Sequence, residues 1–104
     1  MSEIHIGRLG DVAPGRPRLV EANGRRVALA RVGDAVYALD DTCVHSGGPL
    51  SEGKQSGARL ACPWHGWSYD VKTGACLLPA HAKDKRVATY SVRVDGDDLW
   101  LTVP

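Results

Sequence analysis

The sequence predicts an all-β fold, and three observations carry that prediction. Asn23-Gly24 lies between two apolar segments. It is the strongest local signal for a two-residue hairpin, whose turn needs two residues at positive φ. The C-terminal stretch alternates, with Tyr90, Val92 and Val94 on one side and then Leu99, Leu101 and Val103. Period two is the repeat of a strand. No segment shows the apolar spacing of a long amphipathic helix, whereas 12 Gly and 6 Pro punctuate the chain.

The elements follow in order. Residues 4–9 read as a first strand, ended by Pro14-Gly15 in a turn. Residues 18–22 and 26–32 are the arms of the Asn23-Gly24 hairpin. Gly33-Asp34 turns the chain into a strand over 36–39. Residues 87–94 and 99–103 form a closing hairpin about Asp95-Gly96-Asp97. The stretch 40–86 differs from both flanks and holds half of the 12 glycines. Within it, residues 57–61 read as a short strand, 69–74 as a strand end and turn, and 80–86 as room for a helical turn. The expected organisation is a single domain over 1–104. Residues 4–39 and 87–103 are its scaffold, and 40–86 is a loop-rich insertion.

Size and charge narrow the function. At 104 residues and 11.1 kDa the chain builds one modest core, with little to spare for a two-substrate cleft. Small domains often need a staple. Thirteen Lys and Arg against twelve Asp and Glu leave +1, which argues against an electrostatic nucleic-acid binder. No apolar run is long enough for a membrane span. The residues Met1-Ser2-Glu3-Ile4-His5 do not read as a signal peptide, so the expected location is cytoplasmic. Three Cys is an odd number for a disulfide framework, and a reducing compartment disfavours disulfides.

Two of those cysteines sit beside histidines, as Cys43-x-His45 and Cys62-x-x-His65. Either pair alone is weak. Both together, each flanked by Gly and Pro, point to a metal. Two thiolates and two imidazoles suit one tetrahedral zinc or an iron–sulfur centre. The segment after His65 reads as strand rather than the helix of a common zinc finger.

The run from Cys43 to Gly53, then Cys62-Pro63-Trp64-His65-Gly66-Trp67-Ser68-Tyr69-Asp70 and Thr73-Gly74, resembles the Rieske [2Fe–2S] family. The likeness covers both loops, their spacing and the following turn. It implies small antiparallel sheets with two cluster-binding loops. One [2Fe–2S] cluster would be held by Cys43 and Cys62 on one iron and by His45 and His65 on the other. Tyr69 would donate to a ligand sulfur, Trp67 would take a place that other members give to a serine, and Pro79 would shield the cluster. In respiratory members each loop has a further Cys, and the two are joined. Here Gly48 and Trp64 hold those positions, so that bridge is absent. Fewer donors to the cluster imply a potential toward the lower part of the Rieske range, roughly −150 to +300 mV.

The resemblance further implies an electron carrier that is not itself an enzyme and is a monomer in isolation. It would pass electrons from an NAD(P)H-dependent flavoprotein reductase to a terminal oxygenase in aromatic hydrocarbon catabolism. A small subunit of an NAD(P)H-dependent nitrite reductase is the first alternative, and a zinc-stapled interaction module the second. Cys76 reads as a buried bystander and His81 as a surface residue. Trp64 is divided between packing and docking, and Trp100 is assigned to packing. Asp40-Asp41 reads as a solvated turn able to steer a basic partner.

Overall fold

The computed structural model describes residues 2–64 and 66–104. Its strands are β1 (Ser2–Arg8), β2 (Arg18–Ala22), β3 (Arg25–Val32), β4 (Ala35–Asp40) and β5 (Lys54–Ser56). They continue with β6 (Arg59–Ala61), β7 (Ser68–Asp70), β8 (Cys76–Leu78), β9 (Thr89–Asp95) and β10 (Asp98–Val103). Helical structure among the described residues is limited to single 3-10 turns at Leu9–Asp11, Leu50–Glu52 and Ala80–Ala82. No described helix is long and apolar enough to cross a membrane.

The strands form two antiparallel sheets. The larger has the order β1-β10-β9-β4-β3-β2 and the smaller β5-β6-β7-β8. The large sheet uses both ends of the chain, so the small sheet is an excursion between β4 and β9. The hairpin at Asn23-Gly24 forms as expected, with φ of 51° and 76° joining β2 to β3. Both angles are positive, which among ordinary residues Asn tolerates and Gly accepts freely. The closing hairpin also forms, and its alternation is expressed as burial. Leu99, Leu101 and Val103 are sealed inside, while Trp100 and Thr102 between them are half-buried.

Two apolar clusters result. One lies against the large sheet and contains Val12, Val27, Leu29, Val36, Ala38, Leu99, Leu101 and Val103. The other joins the sheets through Ala28, Ala30, Leu39, Leu50, Leu60, Tyr69, Val71 and all three cysteines. Alternate residues of β3 therefore serve different cores, Val27 and Leu29 on one face and Ala28 and Ala30 on the other. Gln55 adds a polar tie, its Nε2 donating to the Arg31 carbonyl at 2.8 Å across the two sheets.

The two short strands β5 and β8 were not among the expected elements. With three residues each, they are too brief to show an alternation. Hydrogen bonding to a neighbouring strand defines them instead.

Candidate metal centre

Two loops leave the ends of short elements and close in the same way. In the first, the Cys43 N–H donates to the Gly48 carbonyl at 2.9 Å, and the Gly47 N–H returns to the Cys43 carbonyl at 2.9 Å. In the second, the Cys62 N–H donates to Trp67 at 2.7 Å, and the Gly66 N–H returns to Cys62 at 3.0 Å. Gly47 and Gly66 both have φ of 75°, the left-handed conformation that this closure needs. The loops are thus two copies of one local device, although the histidines sit at different spacings from their cysteines.

The first loop is anchored at its root by Asp41. Its carboxylate accepts the Ser51 N–H at 2.6 Å, its carbonyl accepts the Leu50 N–H at 2.6 Å, and Arg26 lies 3.7 Å from its other oxygen. The residue is 2% exposed. This corrects the reading of Asp40-Asp41 as a solvated turn: Asp41 is a structural clamp. Asp40 is engaged as well, accepting the Tyr90 hydroxyl at 2.6 Å. The pattern of a carboxylate ten residues before a backbone N–H is not visible in a sequence.

The loops bring Cys43 and Cys62 together in one buried cluster, close enough for the Cys62 side chain to lower the Cys43 thiol pKa. Tyr69, fully buried on β7, places its hydroxyl 3.1 Å from the Cys43 sulfur. The Ser46 hydroxyl lies 3.6 Å from the Cys62 sulfur. Burial pushes the Cys43 thiol up. Hydrogen bonds from Tyr69, from the Ser46 and His45 backbone and from Cys62 outweigh it, and hold the thiol below its ordinary value. Tyr69 moves the opposite way, raised by its own burial and then by its bond to Cys43, and so remains a protonated donor.

His45 stacks on the indole of Trp67, with ring centroids 4.3 Å apart and planes 4° from parallel. Trp67 in turn receives the edge of the exposed His81 at 6.1 Å. His65 lies outside the described residues. The described Cys, His, Asp and Glu side chains do not by themselves bring three groups to one metal point.

Gly48 and Trp64 face each other. A Cβ on Gly48 would lie 2.8 Å from the Cys62 sulfur and 3.0 Å from the Trp64 ring. The two positions assigned to the missing bridge are therefore adjacent, and an indole packed over a glycine fills the place. Trp64 still shows 58% of its surface, and Val44 and Leu78 are also exposed at 48% and 46%. The loop end thus presents an apolar surface.

Cys76 stands apart from this arrangement. Its thiol is buried and donates to the Leu78 carbonyl at 3.1 Å, and burial raises its pKa. Pro79 follows a cis peptide bond after Leu78 and starts the 3-10 turn that carries His81. Trp100 meets His5 edge-on at 5.0 Å and lies 5.6 Å from the Arg93 guanidinium, so it packs within a polar surface group.

Comparison with known proteins decides the family. The model of the Rieske [2Fe-2S] domain matches residues 2–91. This chain belongs to the Rieske [2Fe–2S] family. As a Rieske domain it carries a Rieske-type [2Fe–2S] cluster, and the donor set fits that group. Two buried thiols in one cluster are suited to ferric iron, and Tyr69 offers a hydrogen bond to one of the sulfurs.

Among curated relatives, the ferredoxin component of the naphthalene 1,2-dioxygenase/salicylate 5-hydroxylase systems of a Ralstonia species is 34% identical. That match covers 94% of this chain and 92% of the relative. Among solved structures, the ferredoxin of carbazole 1,9a-dioxygenase from Nocardioides aromaticivorans IC177 superimposes with a TM-score of 0.88 at 31% identity. It covers 97% of each chain. A chain from a complex of reduced oxygenase and oxidized ferredoxin in carbazole 1,9a-dioxygenase matches with a TM-score of 0.86 at 31% identity. It covers 95% of this chain and 91% of its own.

Proposed function

We propose that this Rieske protein is a one-electron carrier. It takes electrons from an NAD(P)H-dependent flavoprotein reductase and delivers them to a terminal oxygenase acting on aromatic compounds. The observation that supports this most strongly is end-to-end likeness to ferredoxin components of dioxygenase systems, one of them in a structure with its oxygenase. The names of these relatives favour an oxygenase system over a nitrite reductase subunit. The same likeness supports a cytoplasmic monomer that meets its partners transiently.

In this reading Cys43 and Cys62 hold one iron, and His45 and His65 the other. The cluster supplies a one-electron couple, neutral when oxidised and singly negative when reduced, with neutral imidazoles raising the potential above that of an all-thiolate centre. The chain does the rest. The two matched loops fix the cysteines. Tyr69 stabilises extra negative charge on the Cys43 sulfur. Pro79 and the buried face around Leu50 and Leu60 keep water from the sulfur side. Trp64, Val44 and Leu78 offer a dry contact surface at the loop end, and Trp64 is suited to anchor a partner there.

Two measurements test the reading. Low-temperature EPR of the dithionite-reduced protein should show a Rieske-type signal, whereas zinc with no colour would overturn it. Reconstitution should then show the protein carrying electrons from such a reductase to an aromatic-ring oxygenase. A reduced protein that passes none to any oxygenase would overturn the carrier role proposed here while leaving the family intact.

A further inference from the structure

Charge is divided unevenly between the two sheets. From Leu50 to Arg86 the chain has six cations (Lys54, Arg59, Lys72, Lys83, Lys85 and Arg86) against three carboxylates (Glu52, Asp70 and Asp84). The remainder has seven cations against nine carboxylates. Ion pairing sharpens the division. Every ion pair among the described residues involves side chains from 3–41 or 93–98. All six cations of the small-sheet region are exposed, and among the described residues none meets a carboxylate.

Strand register places two of them at the metal end. One row crosses the small sheet as Lys54, Ala61, Ser68 and Leu78. Ala61 immediately precedes Cys62, Ser68 follows Trp67, and Leu78 leads into Pro79. Lys54 therefore marks one edge of the row that borders the loops. At the opposite edge, the 3-10 turn at Ala80–Ala82 sets His81 against Trp67, and Lys83 caps that turn. Lys85 follows, its carbonyl accepting the Cys76 N–H at 3.0 Å. Arg59 starts β6, Lys72 follows β7 and Arg86 precedes β9, and all three add to the positive sign of this half.

We propose that the metal-bearing end is a cationic docking face, with Lys54 and Lys83 on either side of the exposed apolar loops, for a redox partner protein whose contact surface is acidic. The inference rests on the electron-carrier reading. Its physical content is orientation. The formal charge of the chain is +1. Two thiolates and the oxidised cluster cancel, so one added electron brings the reduced protein near zero. A near-neutral molecule has almost no net attraction for any partner. An unpaired cationic end still produces a local field that turns that end toward negative charge.

The test uses the reduced holoprotein and two one-electron oxidants of opposite charge, ferricyanide and tris(phenanthroline)cobalt(III), in stopped flow. Each takes one electron and leaves the oxidised protein. Raising ionic strength from about 10 to about 300 mM should slow ferricyanide at least about threefold and speed the cobalt complex. Lys54→Glu/Lys83→Glu should reverse both trends. Arg16→Glu/Arg18→Glu, an equal charge change at the β2 side of the large sheet, should leave their signs intact. Equal salt dependence for the two oxidants would overturn the proposal, as would an equal effect of the two double variants. An intact EPR signal in every variant shows that each keeps its cluster, and failure of the carrier reading is read separately, by reconstitution of the parent protein with a reductase and an oxygenase.

Discussion

Tyr69 shows how one side chain serves both fold and chemistry. Its ring fills the core beneath the loops, and its hydroxyl, 3.1 Å from the Cys43 sulfur, is its only polar atom there. A hydrogen bond to a thiolate ligand strengthens when the site gains an electron, so it favours the reduced state. Tyr69→Phe keeps the packing and deletes the donor. The midpoint potential should fall, by roughly 40 mV for each kcal/mol by which the bond is stronger in the reduced state. Protein-film voltammetry measures this, and an unchanged potential would mean that the phenol is only packing. The meeting of this tyrosine with Cys43 was legible because a short motif fixes its distance along the chain. Asp41 was not. Nothing in Asp40-Asp41 separates a solvated carboxylate from one aimed at a backbone N–H ten residues later. Asp41→Ala would remove the partner of the part-buried Ser51 N–H at a cost of about 1 kcal/mol or more. Denaturant unfolding of the holoprotein should show that loss, and a stability within error of the parent would remove Asp41 from its clamping role.

At the scale of elements, legibility depended on length and on turn chemistry. The Asn23-Gly24 hairpin and the β9–β10 pair declare themselves through turn residues that accept positive φ, Asn23, Gly24 and Gly96, set between alternating strands. Strands of three residues such as β5 and β8 declare nothing, because pairing creates them. The turn between β7 and β8 shows a second kind of constraint. Gly74 has φ of 78°, and a Cβ there would fall 2.2 Å from the Val87 carbonyl oxygen. The Val87 N–H donates to the Gly74 carbonyl at 2.9 Å, so the two backbones are locked together. Gly33 has φ of 62° but open space around its Cβ position. Gly33→Ala should therefore cost only the left-handed penalty, about 1–2 kcal/mol. Gly74→Ala adds a backbone clash and should cost at least about 1 kcal/mol more. Thermal unfolding of the pair separates conformation from contact. Equal losses would show that the β7–β8 turn can shift away from β9 without penalty.

For the whole molecule, the two cores have unequal means of support. The core against the large sheet contains no cysteine and draws on strands of five to eight residues. The other core contains all three cysteines, and the small sheet packed into it has strands of three residues. Strands that short have little independent stability, and a metal centre that ties their loops together contributes folding free energy directly. The size problem posed by 104 residues is therefore local: half the molecule is a self-supporting sheet, and half relies on its cofactor. Removing iron with a chelator under reducing conditions should leave amide protection in β3, β4 and β10 largely intact. Protection in β6, β7 and β8 should fall by at least about tenfold, because local opening there no longer breaks metal–ligand bonds. Hydrogen exchange of the apo and holo forms reads this directly. A uniform loss across both sheets would show that the two cores fold as one unit, and undiminished protection in β7 would show that packing around Tyr69 and Leu60 is sufficient without the metal.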